Sequence, residues 1–165
     1  GISGKDGRML QVRPKDSENL GYVGEVVHVD TTLVSAILQD GFVPVICPVG
    51  IGSDHNSYNV NADDAACAIA EALHAEKLVF LSDIEGVYED YDNKDSFISE
   101  LSLREVQNLI DTGKVSGGMI PKLQSCIHAI HNGVSRVHIL DGRVQHCLLL
   151  EFFTNKGIGT AILKK

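Results

Sequence analysis

The chain has 165 residues, and 44% of them are hydrophobic, which is enough for one domain with a substantial core and argues against disorder. Its 14 basic and 22 acidic residues give a net charge of −8, and no lysine or arginine cluster matches the track of a nucleic-acid backbone. The longest apolar runs are strand-sized and too short to span a membrane. No signal or transit-peptide pattern is visible, so a cytoplasmic protein is expected.

The first third of the chain predicts paired strands, a helix and a buried strand. Residues 8–29 alternate apolar and polar positions around a break at residues 14–21, as in a β-hairpin with a long loop. Residues 33–41 place apolar side chains at helical spacing and end on a glycine. The apolar run of residues 42–49 predicts a buried strand, and residues 50–57 predict a loop.

The middle of the chain predicts a capped helix and then a strand. Asn61 is a natural N-cap for an alanine-rich helix that runs to about residue 73. Asp63 and Asp64 lie in its first turn, where carboxylates complement the helix dipole. Residues 77–82 form a short apolar run of the kind found in parallel sheets that are covered on both faces.

The last third continues the alternation of helices and strands. Ser102 and Glu105 have the spacing of a capping box that opens a helix to about residue 112. Further elements are predicted as a helix from Pro121 to Asn132, a strand at residues 136–140, a helix at residues 144–154 and a strand at residues 159–163. This order predicts an α/β fold, a three-layer sandwich with a mainly parallel central sheet, in one domain over residues 1–165.

Ligands of such folds bind beyond the carboxyl ends of the strands. Ser82 and Asp83 occupy that position after the predicted strand at residues 77–82. Asp83 fits either a nucleotide contact or a cap of the turn that follows, and Asp63 fits either a site role or a dipole-complementing carboxylate.

Lys122 is a candidate phosphate contact. A glycine pair precedes it, and Pro121 favours a helix start beside it. A cation in the first turn opposes the helix dipole, at a cost of about 0.3–1 kcal/mol, which a bound phosphate would offset. Ser116, Gly117 and Gly118 would let the backbone approach such a phosphate, although a flexible loop fits the same residues equally well.

Other chemistries are disfavoured. The glycines at residues 50–52 lack the third glycine of a dinucleotide fingerprint, and no P-loop motif occurs. The acidic residues 90–100 depart from a calcium loop, since Lys94 replaces a ligand. His128 and His131 could share a helix face but lack a third ligand, so no metal site is predicted.

Several segments resemble the amino acid kinase family, in the order in which that family carries them. The resemblance is to the carboxyl-terminal, nucleotide-binding part of its members that phosphorylate N-acetyl-L-glutamate. The matching segments are GISGKDG at residues 1–7, GYVGEV at 21–26, YNVNAD at 58–63, SDIEGV at 82–87, SGGMIPK at 116–122, DGR at 141–143, LEFFT at 150–154 and GIGT at 157–160.

The resemblance implies a kinase that uses ATP, with Mg²⁺ held mainly through the nucleotide phosphates. The product would be the acyl phosphate of the N-acetyl-L-glutamate side chain, in arginine biosynthesis. Asn59 would bind the acceptor, Asp63 would organise the catalytic lysines, and Lys122 would stabilise the transferring phosphoryl group. The implied nucleotide-binding residues are Ser82, Asp83, Gly86, Val87, Tyr88, Ser116, Gly117 and Gly118.

The resemblance also implies an arginine effector site at Glu151, Gly157 and Gly159, and a homo-oligomeric parent. The family's amino-terminal substrate-binding half is not found in this sequence, so the chain is expected to be a fragment with little or no activity alone. Two alternatives stay open. One is a family member that phosphorylates aspartate, glutamate, carbamate or UMP, and the other is a non-catalytic nucleotide-binding module.

Overall fold

The computed structural model describes residues 1–90 and 92–164, except for the side chain of Ser17. Contacts between Cα atoms divide the chain into two compact units, residues Gly1–Leu73 and His74–Lys165. We call these the first and the second unit and describe each by itself.

The first unit contains a mixed four-stranded sheet and a separate pair of strands. Its strands are β1 (Ile2–Ser3), β2 (Leu10–Pro14), β3 (Gly24–Val29), β4 (Ile46–Cys47), β5 (Val49–Gly52) and β6 (Ser57–Asn59), and its helices are α1 (Ser17–Leu20), α2 (Thr32–Gln39) and α3 (Ala62–Ala72). The sheet order is β3-β2-β5-β6, with β2 and β5 parallel and both outer pairs antiparallel. Strands β1 and β4 form a separate parallel pair.

The core of the first unit lies between this sheet and helices α2 and α3. Its buried side chains are Met9, Leu10, Val12, Val34, Tyr58, Val60 and Ala65. The predicted hairpin is confirmed by the antiparallel pairing of β2 with β3. The predicted N-cap is confirmed too, because the Asn61 side chain accepts from the N–H groups of Asp63 and Asp64 at 2.9 and 3.2 Å.

The second unit likewise contains a four-stranded sheet and a separate pair of strands. Its strands are β7 (Lys77–Ser82), β8 (Val87–Tyr88), β9 (Phe97–Ile98), β10 (Glu100–Ser102), β11 (Arg136–Asp141) and β12 (Thr160–Leu163), and its helices are α4 (Leu103–Asp111), α5 (Met119–His131) and α6 (Cys147–Phe153). The sheet order is β10-β12-β11-β7, with β7 parallel to β11 and β10 parallel to β12. Strands β11 and β12 are antiparallel, as are β8 and β9 in a separate pair.

Helices α5 and α6 pack against β11 in the second unit, and α4 packs against α5. The core there includes the buried side chains of Phe80, Leu101, Val106, Leu123, Ile130, Val137, Ile139, Leu140 and Ile162. The capping box of α4 is present, with Ser102 and Glu105 each accepting from the other's backbone N–H. The predicted α/β fold with parallel strands is confirmed. The parallel pairs that the sequence predicts for one central sheet are distributed between the sheets of the two units.

The predicted buried strand at residues 42–49 is wrong in its first half. Phe42, Val43 and Val45 are 67%, 87% and 70% exposed, and strand pairing begins only at Ile46. Pro44 also has no N–H to give to a strand partner. An apolar run indicates that a segment can be buried, but burial also requires other residues to cover it.

Three predicted boundaries also differ from the structure. Residues 50–57, predicted as a loop, contain most of β5 and the start of β6, which form an antiparallel hairpin. Helix α5 begins at Met119, before Pro121, and α6 begins at Cys147, after the predicted residue 144. Among the described residues, no helix is both long and apolar enough to cross a membrane.

Candidate active site

A cavity of about 350 Å³ opens in the second unit beyond the carboxyl end of β7. Two chain segments line it, and these are the two segments that the sequence singles out around Asp83 and Lys122. The lining residues are Ser82, Asp83, Ile84, Gly86, Val87, Tyr88, Lys114, Val115, Ser116, Gly118, Met119 and Lys122. The structure therefore brings together two predicted groups of nucleotide-binding residues that are distant in sequence, although Gly117 of the second group is not among the lining residues.

The first side of the cavity runs from the end of β7 to β8. Asp83 is exposed there, whereas Gly86, Val87 and Tyr88 are buried. The N–H of Val87 donates to Thr160 Oγ1 at 2.8 Å, which ties this segment to β12. This side therefore offers a carboxylate near the strand end and a fixed, largely apolar surface beyond it.

Tyr88 is held by its neighbours. Its hydroxyl donates to Glu85, and Lys94 Nζ lies 4.6 Å from the centroid of the Tyr88 ring and 3.2 Å from Glu85 Oε2. The pKa of Glu85 is lowered, mainly by the hydrogen bond from Tyr88 and to a smaller extent by the hydrogen bond from Lys94. The ring of Phe97 meets Tyr88 edge-on at 5.4 Å, so the tyrosine has a defined orientation beside the cavity.

The opposite side of the cavity is the turn before α5. Gly117 has φ of +57°, a left-handed conformation that favours glycine, and Gly118 is the N-cap residue with φ of −66°. A Cβ at either glycine would meet no atom within 4 Å. The turn therefore presents backbone to open space, as a phosphate-binding turn requires.

The first donors of α5 are partly used within this turn. The N–H of Met119 donates to the carbonyl of Ser116, and that of Ile120 to the carbonyl of Gly117, both at 3.3 Å. Pro121 is the third residue of the helix and has no N–H. Much of the positive charge offered to an anion here therefore comes from the side chain of Lys122.

Lys122 lines the cavity from the first turn of α5. Its side chain is half-buried, and its Nζ lies 4.8 Å from the centroid of the buried Phe80 ring on β7. One cavity thus contains an ammonium group, a carboxylate at Asp83 and a glycine turn.

Lys114 is a cavity residue that the sequence interpretation missed. Its Nζ lies 2.5 Å from Glu89 Oε1, an ion pair that links the α4–α5 segment to the residues after β8. The hydrogen bond that Lys114 donates is the main cause that lowers the pKa of Glu89, and the positive charge of Lys114 is the second. Lys114 lies two positions before Ser116, so closeness to the glycine turn was the signal available.

Asp141 and Arg143 form a second polar pair that the site prediction omitted. Asp141 lies opposite Ser82 in the register of β11 with β7, and the N–H of Gly142 donates to the Ser82 carbonyl at 2.8 Å. The Asp141 carboxylate accepts from Arg143 Nε and Nη2 at 2.9 and 2.8 Å. These hydrogen bonds from Arg143 lower the pKa of Asp141. A charged Asp-Gly-Arg sequence directly after a buried strand was the available signal.

Asn59 and Asp63 belong to the first unit. Asn59 is exposed at the end of β6, and its N–H donates to the Tyr22 carbonyl at 2.8 Å. Asp63 is half-buried in the first turn of α3, where its N–H donates to the Asn61 side chain. The roles of Asn59 and Asp63 in a reaction stay predictions.

Glu151 lies at the centre of a buried cluster in the second unit. Its Oε1 is 2.7 Å from His138 Nδ1, and its Oε2 accepts from the N–H groups of Ile158 and Gly159 at 2.7 and 3.0 Å. Its side chain is only 6% exposed. Burial, the largest influence, raises the pKa of Glu151, but hydrogen bonds led by that from Ile158 outweigh it and lower the pKa overall.

Gly157 adjoins the same cluster. It has φ of +60°, and a Cβ on it would approach Glu151 Oε2 to 2.7 Å. The structure therefore brings together Glu151, Gly157 and Gly159, for which the family resemblance implies an effector site. Within residues 1–90 and 92–164, no set of three or more histidine, cysteine, aspartate or glutamate side chains has the arrangement of a metal site.

The family model described as "Amino acid kinase family" matches residues 1–141. The chain belongs to the amino acid kinase family. An acetylglutamate kinase of Caldanaerobacter subterraneus subsp. tengcongensis is 53% identical to it, over all of this chain and 56% of the relative. This amino acid kinase chain therefore spans little more than half the length of that curated relative.

Solved structures agree with this family membership. N-acetylglutamate synthase from Neisseria gonorrhoeae, complexed with coenzyme A and N-acetyl-glutamate, superposes with a TM-score of 0.87 at 31% identity, over 99% of this chain and 37% of that protein. The same synthase complexed with coenzyme A and L-arginine gives a TM-score of 0.85 at 31% identity and the same coverage. The predicted resemblance and fold are confirmed by these matches.

Proposed function

We propose that this chain is the nucleotide-binding part of an acetylglutamate kinase. The longer enzyme would transfer the terminal phosphoryl group of ATP to the side-chain carboxylate of N-acetyl-L-glutamate, giving an acyl phosphate for arginine biosynthesis. The observation that carries the proposal is that Lys122, Gly118 and Asp83 line one cavity. The 53% identity to an acetylglutamate kinase supports this choice of acceptor.

Lys122 is assigned to the transferring phosphoryl group. Phosphoryl transfer depends on positioning and on neutralising charge that spreads over the phosphate oxygens, more than on covalent help from the protein. An ammonium group in the first turn of α5, next to a glycine turn open to a ligand, supplies both. The remaining nucleotide contacts are assigned to Ser82, Asp83, Gly86, Val87, Tyr88, Ser116, Gly117 and Gly118.

Asn59 and Asp63 are assigned to the acceptor side of the reaction. Asn59 would bind N-acetyl-L-glutamate, for which its exposed amide is suited, and Asp63 would organise the catalytic lysines. Residues 1–165 would then form one α/β domain of the longer enzyme. The amino-terminal half of that enzyme would complete the acceptor pocket. The parent would be a homo-oligomer.

The residues at the cavity fit a magnesium ion that is held mainly by the nucleotide. Mg²⁺ keeps several waters and commonly takes one or two carboxylates together with substrate phosphates. The cavity offers the exposed carboxylate of Asp83, and the described residues contain no larger ligand cluster. When bound, Mg²⁺ supplies charge neutralisation to the phosphates, while Asp83 supplies one carboxylate towards it.

The proposal is tested in the longer parent enzyme by trapping the acyl phosphate with hydroxylamine. We expect hydroxamate from N-acetyl-L-glutamate and none from free glutamate or aspartate, with no phosphorylation of carbamate or UMP in parallel assays. A preference for another acceptor would favour a different member of the family. Lys122→Ala should abolish most turnover, and an unchanged rate would favour a non-catalytic nucleotide-binding module.

A second candidate function is arginine binding at the Glu151 cluster. The observation that favours it is the buried carboxylate of Glu151 beside Gly157 and Gly159, in a chain similar to a synthase that was solved with L-arginine. A carboxylate can receive a guanidinium group through two parallel hydrogen bonds. Both oxygens of Glu151 already have partners in His138, Ile158 and Gly159, so arginine would have to displace some of these contacts to bind in this way. Arginine would then act as an effector of the kinase.

A further inference from the structure

Phe80 places an aromatic ring beside the candidate phosphate contact. It lies on β7, two residues before Ser82, where that strand reaches the cavity. Its side chain is 4% exposed, so packing restricts the ring to one position. The ring centroid lies 4.8 Å from Lys122 Nζ.

This distance is within the range of a cation–π contact, in which the negative face of a ring attracts an ammonium group. At Lys122, such an attraction would fix the position of the ammonium group. A lysine side chain has four rotatable bonds and a compact charge, so a contact with its ammonium group restricts the positions that the group can take. The first turn of α5 also disfavours a cation, because the positive end of the helix dipole lies there.

We propose that Phe80 is a positioning residue, whose ring holds the Lys122 ammonium group in the cavity where the phosphates of a nucleotide bind. This inference rests on the proposed function. Phe80 would touch neither nucleotide nor acceptor, and would act only through Lys122. Its effect should therefore appear with phosphate-bearing ligands and be absent with adenosine.

The first experiment tests the contact without any nucleotide. The lysines of the chain are reductively methylated with ¹³C-formaldehyde, and the Lys122 signal is assigned from Lys122→Arg. A ring face 4.8 Å away should shift the Lys122 methyl signal upfield from those of exposed lysines, and Phe80→Leu should remove the shift. A Lys122 signal at the exposed-lysine position in the unaltered protein would overturn the proposal.

The second experiment tests the role of the contact in nucleotide binding. Phe80 is replaced by 3,4,5-trifluorophenylalanine, which nearly keeps the shape of the ring but withdraws negative charge from its face. Titration calorimetry should show ATP binding weakened by about threefold to tenfold, with adenosine binding unchanged. The matched control is the same replacement at Phe152, whose ring centroid lies 5.9 Å from Lys77 Nζ and which is not among the residues that line the cavity.

The two experiments separate a failure of the positioning role from a failure of the proposed nucleotide site. Equal ATP affinity before and after fluorination, with the upfield signal present, would overturn the positioning role and leave the proposed function standing. Equal losses for ATP and adenosine would show a packing effect and would also overturn it. Failure of the unaltered protein to bind ATP at all would overturn the proposed nucleotide site itself, and the positioning role with it.

Discussion

His138 on β11 and Glu151 on α6 are joined by a 2.7 Å contact between Nδ1 and Oε1, and both side chains are buried. The second carboxylate oxygen accepts from the N–H groups of Ile158 and Gly159, directly before β12. One side chain therefore connects a helix, a central strand and the approach to the last strand. His138 Nε2 is also buried and has no hydrogen-bond partner among the described residues.

We predict that Glu151→Gln destabilises the protein at pH 7 by about 1.5–3 kcal/mol, because hydrogen bonds to a charged acceptor are stronger than those to an amide. Urea unfolding of both proteins measures the difference. Glu76→Gln is the control, since Glu76 is exposed and forms an ion pair with its neighbour Lys77. Equal losses in the two variants would contradict a special role for the buried carboxylate.

The destabilisation should depend on pH in a defined direction. The pKa of Glu151 is lowered from its ordinary value of 4.5 in the folded protein, so the unfolded chain binds the proton more readily. The stabilisation is therefore fully present above about pH 4.5 and is lost as the pH falls through the folded-state pKa. The difference between wild type and Glu151→Gln should shrink in acid, and a difference that grows there would contradict the assignment.

Arginine should raise the melting temperature of the protein if the Glu151 cluster is an effector site. Differential scanning fluorimetry with L-arginine measures the shift, and L-lysine at the same concentration is the control because it lacks the guanidinium fork. Glu151→Ala should abolish the shift. No shift in the intact parent enzyme would count against the effector site.

Gly118→Ala should weaken nucleotide binding without weakening the fold. The φ of −66° at Gly118 suits alanine, and a Cβ there meets no atom within 4 Å, so the unfolding free energy should stay equal or rise by up to about 1 kcal/mol. The added methyl group would occupy space in the cavity. Thermal unfolding and ATP titration on one sample check both effects.

Gly117→Ala is the matched comparison for Gly118→Ala. The φ of +57° at Gly117 strains alanine, so this variant should lose stability. Unchanged ATP affinity in Gly118→Ala would remove the glycine turn from the proposed phosphate site.

The 165-residue chain alone should bind ATP weakly and produce little or no acyl phosphate. It spans 56% of the length of a related acetylglutamate kinase, and the resemblance assigns most of the acceptor pocket to the family's other half. Hydroxylamine trapping with ATP and N-acetyl-L-glutamate measures the product, with the longer parent as the positive control. A normal signal from the chain alone would refute this prediction.

Local patterns were sufficient to predict much of the fold. The Asn61 cap, the Ser102 capping box and the strand at residues 77–82 depend on neighbouring residues, whose chemistry the sequence displays directly. The start of α5 was misplaced because Pro121 fits any position in the first turn, where the N–H groups have no partner within the helix.

Features that depend on distant residues were less predictable. The exposure of Phe42 and Val43 is set by what lies over them, which an apolar run does not specify. The two sides of the cavity were identified from their motifs, but the contact of Phe80 with Lys122 arises from the packing of α5 near β7. No local spacing connects residues that are so far apart in sequence.

The most direct test compares ATP and adenosine binding to the unaltered chain and to Lys122→Ala by titration calorimetry. We expect ATP to bind about tenfold to a hundredfold more weakly to Lys122→Ala, because one charge-assisted contact is lost, and adenosine to bind with unchanged affinity. Equal ATP affinity in the two proteins would contradict the claim that Lys122 meets the phosphates of a nucleotide in this cavity.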